Sequence, residues 1–212
     1  MQPWRRLPGR SAQRVNQDDF INPSRWFEED ESVHLIYRQL VPDDNEELFR
    51  CFGDVVESLD ERLVPKQVLR EISLIYTEEG IHRRAFGKTS AAVGVLAANT
   101  FIGFVWGWAA REGTFTVDWL GVLPEYRCRG LAKELVARIE RHAFAAGMNK
   151  VTAYSSATNT PALRMLVGRG YAIEGFHRAH FYGWDYFSLA KVLQFPLWRG
   201  SDSPHHSLSP ES

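Results

Sequence analysis

Residues 91–110 run almost without a polar side chain, and a stretch that apolar must leave water wherever the chain folds. A membrane-spanning helix needs roughly 20 such residues. This run fails that reading, because Asn99 and Thr100 break its middle, glycines recur at Gly94, Gly103 and Gly107, and its flanks are rich in β-branched and aromatic residues. Those features suit two adjoining buried strands joined by a turn near Asn99. Strands that are buried on both faces need helices on each side of their sheet.

The flanks supply those helices. Val33–Leu40 reads as a first strand, Pro42, Asp43 and Asp44 punctuate, and Leu48, Phe49, Phe52, Val55 and Val56 follow at helical spacing. A second helix is expected over Pro65–Glu79, with Val68, Leu69, Ile72 and Ile75 on one face. After the apolar run, Glu112 and Gly113 turn the chain into a third adjoining strand, Thr114–Leu123. From Gly130 to Ala146 the residues Leu131, Leu135, Ile139 and Ala143 recur every fourth position, a helix that stops at Gly147. Lys150–Ser156 is a strand. Thr160 is expected to cap the next helix and Pro161 to be its first residue, with the end at Gly168 or Gly170. Tyr171–His177 and Tyr186–Leu193 complete the pattern as strands. The order β, α, α, β, β, β, α, β, α, β, β implies an α/β domain over residues 31–195, preceded by a loosely packed arm (1–30) and followed by a flexible tail (196–212).

Composition excludes several function classes. The 212 residues carry a net charge of −1, too little to gather nucleic acid or an anionic membrane surface, so neither is expected as a partner. Cys51 and Cys128 are far apart and the seven histidines show no HExxH spacing, so no disulfide framework and no metal site is expected. A reducing compartment, the cytoplasm, fits that usage. No secretory h-region occurs at the N-terminus, and the arginine-rich, acid-free stretch Met1–Arg14 reads as an extension rather than a transit peptide.

The stretch Val122–Ala132 sits between an expected strand and an amphipathic helix, the context an anion-binding turn requires. Amides at a helix start have no partner within the helix and point outward, and the helix dipole adds positive charge there. Gly130 and Ala132 let a phosphate approach the backbone, while Arg127 and Arg129 add charge. The run also resembles the signature V-x-P-x-x-[RQ]-x-x-G-x-[GA] of the GNAT superfamily of acyl-CoA-dependent N-acetyltransferases, with Val122, Pro124, Arg127, Gly130 and Ala132 in register. Asn159, Ala162, Gly170 and Tyr171 match the family's later N-x-x-A helix and Gly-aromatic pair.

The resemblance implies a mostly antiparallel sheet of six to seven strands, splayed between strands four and five, with helices on both faces. It implies acetyl-CoA as co-substrate. Backbone groups of Leu120 and Val122 would pair with the pantetheine arm, Arg127, Cys128, Arg129, Gly130, Leu131 and Ala132 would hold the pyrophosphate, and Asn159 would bond the pantetheine from the other side. A backbone N–H near Val122 would serve the oxyanion. Where the family has its proton-donating tyrosine this chain has Leu166, so Tyr154, Tyr171 or Tyr182 would have to substitute. For the base, period-two alternation puts Thr116, Asp118, Leu120 and Val122 on one face and aims Asp118 at the slot, with a solvent-facing or ion-paired carboxylate as the competing reading. His177 and His180, near the final hairpin, are the second choice.

The implied acceptor is a primary amine, a small molecule ahead of a peptide. The run His180–Tyr186 resembles, loosely, the aromatic hairpin of enzymes that modify protein N-termini. Glu57, Asp60, Glu61 and Glu71 could supply an acidic wall for a polycation. The resemblance leaves room for a homodimer. A sensor that binds acyl-CoA without turnover is the alternative that Leu166 favours.

Overall fold

The computed structural model describes residues 34–60, 64, 66–110 and 112–193; the expected arm (1–30) and tail (196–212) lie outside them. The apolar run forms strands β2 (Ser90–Ala97) and β3 (Thr100–Ala109), paired antiparallel. Ala98 and Asn99, both at positive φ, make the two-residue turn between them, the backbone that matches the twist of a hairpin. β1 (Leu35–Gln39) adds to the free side of β2, and β4 (Thr114–Val122) to the free side of β3. β5 (Lys150–Ser156), β6 (Ala172–His177) and β7 (Tyr186–Val192) complete one seven-stranded sheet in the order β1-β2-β3-β4-β5-β7-β6. Only the β4–β5 pair is parallel.

The helices are α1 (Asn45–Glu57), α2 (Lys66–Ile75), α3 (Glu78–Ala85), α4 (Leu131–Ala145) and α5 (Thr160–Gly168). On one face, α4 presents the every-fourth-residue stripe Leu131, Leu135, Ile139 and Ala143, all buried against Val93, Val105, Phe115 and Val151, and α5 adds Leu166. On the other, α1 to α3 bury Leu48, Phe52, Val55, Ile72 and Ile81 against Leu96, Phe104 and Trp106. The buried carboxylate of Glu140 on α4 is held by Arg169 at 2.6 Å and Lys191 at 2.8 Å, which ties α4 to the end of α5 and to β7. No helix among the described residues is long and apolar enough to cross a membrane.

Three local expectations are corrected. The single helix expected over Pro65–Glu79 is two, because Thr77 takes an extended backbone and its hydroxyl accepts the Gly80 N–H, capping α3 afresh. At α5 the cap is Asn159 and not Thr160: its Oδ1 accepts the Ala162 N–H at 3.3 Å, and Thr160 and Pro161 are the first two helical residues. Most consequential, Trp106 pairs with Trp119 but Gly107 pairs with Val117, so Asp118 is an extra residue on β4. That β-bulge resets the alternation. Thr116, Asp118 and Trp119 face the α1–α3 side, whereas Leu120 and Val122 join the core beneath α4, so the four residues expected on one face are divided between two.

Gly107 stands opposite the bulge, and a Cβ there would run into the Thr116 carbonyl oxygen. Gly107→Ala should therefore cost about 1–3 kcal/mol, read as a fall of several degrees in Tm. Gly168→Ala is the control: a Cβ there meets nothing within 4 Å, so its Tm should hold or rise.

Candidate functional site

The β4–β5 ladder joins Thr114–Val117 to Lys150–Ala153 and ends there. Past it, β4 stays with β3 through Val122 and β5 stays with β7 through Ser156, so the two halves of the sheet part company. The facing edges, residues 118–122 and 154–156, leave backbone groups outside the ladder that joins the two halves. An extended ligand can pair with an edge of that kind as an added strand.

At the end of β4 a single 3-10 turn, Pro124–Tyr126, leads into the N-terminus of α4. Cys128 at φ 61° and Gly130 at φ 83° turn the backbone left-handed twice, and Gly130 is the N-cap. No side chain caps the helix, and its first turn closes with the Glu134 N–H on the Gly130 carbonyl at 3.2 Å. The amides of residues 131–133 therefore point out of the helix end with no acceptor inside it. A Cβ built on Gly130 meets nothing within 4 Å, so the corner is open. A diphosphate fits such a corner: outward amides, helix dipole and room at the backbone converge on one point.

The two arginines of this turn behave differently. Arg129, with its guanidinium 5.7 Å from the centre of the Tyr126 ring, is exposed. Arg127, exposed as well, is anchored back onto the protein, its Nε donating to the Val122 carbonyl at 2.9 Å and its Nη2 to Ser58 Oγ at 2.5 Å. Ser58 is the C-cap of α1, so Arg127 fastens the turn both to β4 and to the helical layer.

On the side of β4 that faces α1 to α3, the bulge turns Asp118 toward Tyr76 and Arg84. Its Oδ1 accepts from the Tyr76 hydroxyl at 3.2 Å, and its Oδ2 accepts from Trp106 Nε1 at 3.0 Å and from Arg84 Nη1 at 3.5 Å. Burial raises the Asp118 carboxyl above the usual carboxylate value, although Trp106, Arg84 and Tyr76 all pull it down. Burial, with the adjacent Asp118 charge, pushes the Tyr76 phenol up to about 12. Neither Tyr76 nor Arg84 carries a sequence signal of its own. They reach Asp118 from 42 and 34 residues away.

Tyr182 lies in the β6–β7 connection at φ 53°. Burial raises its phenol, with Arg84 opposing and Glu71 and Asp118 adding, so it shares the electrostatic surroundings of Asp118. His177 is on β6, its Nε2 2.8 Å from Ser188 Oγ, in a ring cluster with His180 and Tyr154. The structure thus gathers Asp118 with Tyr76, Arg84 and Trp106, brings Tyr182 into their field, and keeps His177 on the β6–β7 part of the sheet. Leu166 and Tyr171 are buried in the core below α4. Leu120 and Val122 send their side chains to that core, so only their backbone is available to the slot. Asn159 caps α5 with its Oδ1. A hollow of about 490 Å³ between α1 and α2 is lined by Val56, Glu57, Leu69, Arg70, Ser73 and Leu74, apart from the Asp118 cluster.

Comparison with known proteins agrees with the fold. The sequence model of the Acetyltransferase (GNAT) family matches residues 54–171, just over half of the chain. A Bacillus subtilis (strain 168) protein described as the uncharacterized N-acetyltransferase YoaA is 23% identical over 168 residues, covering 72% of this chain and 87% of that one. PaiA N-acetyltransferase from Thermoplasma acidophilum, crystallised with coenzyme A, shares the fold at a TM-score of 0.65 and 17% identity, covering 76% of this chain and 99% of its own. The ribosomal-protein-S18-alanine N-acetyltransferase of Escherichia coli does so at 0.62 and 13%, covering 76% and 96%.

Asp118 makes stability depend on pH with a definite sign. Its folded-state pKa is raised, so the folded chain holds this proton more tightly than the unfolded chain, and its contribution to stability declines as pH rises from about 4 through the folded value. Asn keeps an acceptor oxygen and lacks the titration. Urea denaturation of Asp118→Asn beside the parent protein should show the difference moving in the variant's favour as pH increases over that window; movement the other way would contradict the assignment.

Proposed function

The chain belongs to the GNAT acetyltransferase family, and from that premise we propose that it moves an acetyl group from acetyl-CoA to the primary amine of a small molecule. The observation that carries the cofactor assignment is the open, uncapped corner at Gly130, where a diphosphate meets amides rather than side chains. In this reading residues 127–132 hold the pyrophosphate, with Arg129 supplying charge and Arg127 fixing the turn. The free backbone edge at Leu120 and Val122 takes the pantetheine arm, and Asn159 approaches it from the β5 side. Acetyl-CoA supplies the electrophilic thioester carbonyl.

The chain's own residues then have three tasks. Asp118 takes the proton from the incoming ammonium: a carboxylate offers about four lone-pair sites and three are occupied, so Oδ1 retains one. Its raised pKa makes it a better proton acceptor than an ordinary surface carboxylate. A backbone N–H near Val122 faces the oxygen on which charge develops. Tyr182, whose pKa is raised and which therefore stays protonated, gives its proton to the departing sulfur in place of the tyrosine that Leu166 replaces. The N–C bond forms as the C–S bond breaks, the second nitrogen proton passes to the Tyr182 oxygen that has just protonated the sulfur, and CoA leaves as the thiol while Asp118 returns its proton to solvent. His177, held by Ser188, belongs to the wall.

A small acceptor is favoured over a protein by the β6–β7 connection. Trp184 packs against the core beneath α1 to α3, and the connection is closed on itself by His180 N–H to the Trp184 carbonyl at 2.7 Å and Ala179 N–H to Asp185 at 2.8 Å. A wall stapled across one side of a cleft suits a compact ligand better than a chain that must pass through. Cytoplasmic residence fits the buried Cys51 and free Cys128. The second reading, an acyl-CoA sensor, is favoured by Leu166, which is buried in the core where the family has its proton donor.

A screen of CoA release across small amines and peptides decides between these readings. Turnover with small amines is expected; peptide-only turnover would reassign the acceptor, and acetyl-CoA binding without turnover of any amine would select the sensor. Arg129→Glu should weaken acetyl-CoA binding in calorimetry by about tenfold or more, and an unaltered affinity would refute the anion corner. In Asp118→Asn the acid limb of the kcat/KM profile should flatten and the rate fall by about 10²–10⁴, whereas an acid limb identical to the parent's would move the base elsewhere.

A further inference from the structure

The guanidinium of Arg84 lies beside Asp118, the carboxylate assigned above to deprotonate the acceptor, and holds it by the weakest of its three bonds. Asp118, its carboxylate neighbour, is already held by two shorter bonds, from Trp106 at 3.0 Å and Tyr76 at 3.2 Å, while Arg84 reaches it through Nη1 alone at 3.5 Å. That contact is single and at the limit of a hydrogen bond, not the paired fork an arginine makes with a carboxylate it is built to hold. The side chain is nonetheless fixed: its guanidinium lies over the Tyr76 ring at 4.8 Å from the centroid, and it keeps 38% exposure. Arg84, Glu71 of α2 and Asp118 all act on Tyr182 of the connection, and Asp118 and Tyr76 are the titratable groups that Arg84 is seen to touch among the described residues. A preoriented cation with donors to spare, facing the mouth of a site for amines, repels a second cation and offers a fork to an anion.

We propose that Arg84 is the specificity-determining residue of the acceptor site, and that the acceptor carries a carboxylate beside its amine. This inference rests on the acetyltransferase reading above and narrows its substrate. The side chains of Arg84 and Asp118 adjoin, so the acid and the amine they match must also adjoin, as on an amino acid, and not stand at opposite ends of a polyamine. The ammonium meets Asp118 while the carboxylate takes the open fork of Arg84, and the amino acid's own side chain lies toward the rings of Tyr182 and Trp184. Long polycations are discriminated against by the positive charge at the entrance.

Matched pairs that differ only in the carboxylate test this: L-phenylalanine against 2-phenylethylamine, and L-histidine against histamine, with spermidine as the polycation. The full-length protein should acetylate each amino acid with a kcat/KM about tenfold or more above its decarboxylated partner. In Arg84→Met that ratio should collapse toward one through a higher KM for the amino acid, and Arg84→Lys should restore part of it. A ratio near or below one in the parent protein, or a preference for spermidine, overturns the proposal. Calorimetry on the CoA-saturated parent protein needs neither variant nor turnover: N-acetyl-phenylalanine should bind about tenfold or more tightly than N-acetyl-phenylethylamine, and equal affinity refutes the role of Arg84. Binding of the N-acetyl-amino acid with no CoA release from any amine would leave the carboxylate site standing and remove the transferase reading.

Discussion

A parallel ladder that stops after four residue pairs governs the molecule. β4 and β5 are joined from Thr114 to Val117 and no further, while each remains tied to its other neighbour. Continuing the ladder would have satisfied more backbone groups and closed the sheet. Ending it leaves two edges and a gap, a cost that a fold retains where a ligand can replace the missing strand contacts. The bulge at Asp118 begins at the position where the ladder ends, and its extra residue turns the strand so that a carboxylate faces one side while Leu120 and Val122 keep the core sealed on the other.

Both ends of the gap are then furnished from different layers. The corner at Gly130 belongs to α4, on one face of the sheet, and the Asp118 cluster is completed by Tyr76 and Arg84 from the helical layer on the other. Arg127 joins the two, since it is part of the corner and bonds Ser58 at the end of α1. The turn before α4 and the α1–α3 layer are thus mechanically continuous, although they are 69 residues apart at that contact.

Much of this was legible in the chain. The every-fourth-residue stripe of α4 and the apolar run of β2 and β3 are strong periodic signals whose burial leaves no alternative face, and the strand–turn–helix at Val122–Ala132 has a spacing that carries its own chemistry. What escaped reading were features that depend on a partner distant in sequence or on one inserted residue. Alternation assumes an unbroken ladder, so the bulge at Asp118 misassigned Leu120 and Val122. Thr77 interrupts an apolar stripe that continues on either side of it, so the break between α2 and α3 was hidden under the pattern of Val68, Leu69, Ile72 and Ile75. The turning of Arg127 away from the mouth follows from the position of Ser58, and the joint hold of Tyr76 and Arg84 on Asp118 from the packing of α3; no local pattern encodes either. Asn159 and Thr160 are adjacent capping residues, and the choice between them fell to backbone geometry.

The two halves of the sheet are unequally covered. β1 to β4 lie between helices on both faces, whereas among the described residues β5, β7 and β6 have helical cover only on the face where Ala153 and Leu189 are buried with Leu166 of α5. The other face of that half carries Tyr154, His177, Tyr186 and Ser188, side chains that support no helix. What packs there instead is the β6–β7 connection, with His180 and Phe181 against Tyr154 and Tyr186, so a change on this face is felt by one loop, while the turn at Gly130, tied to β4 and α1 through Arg127, stays as it is.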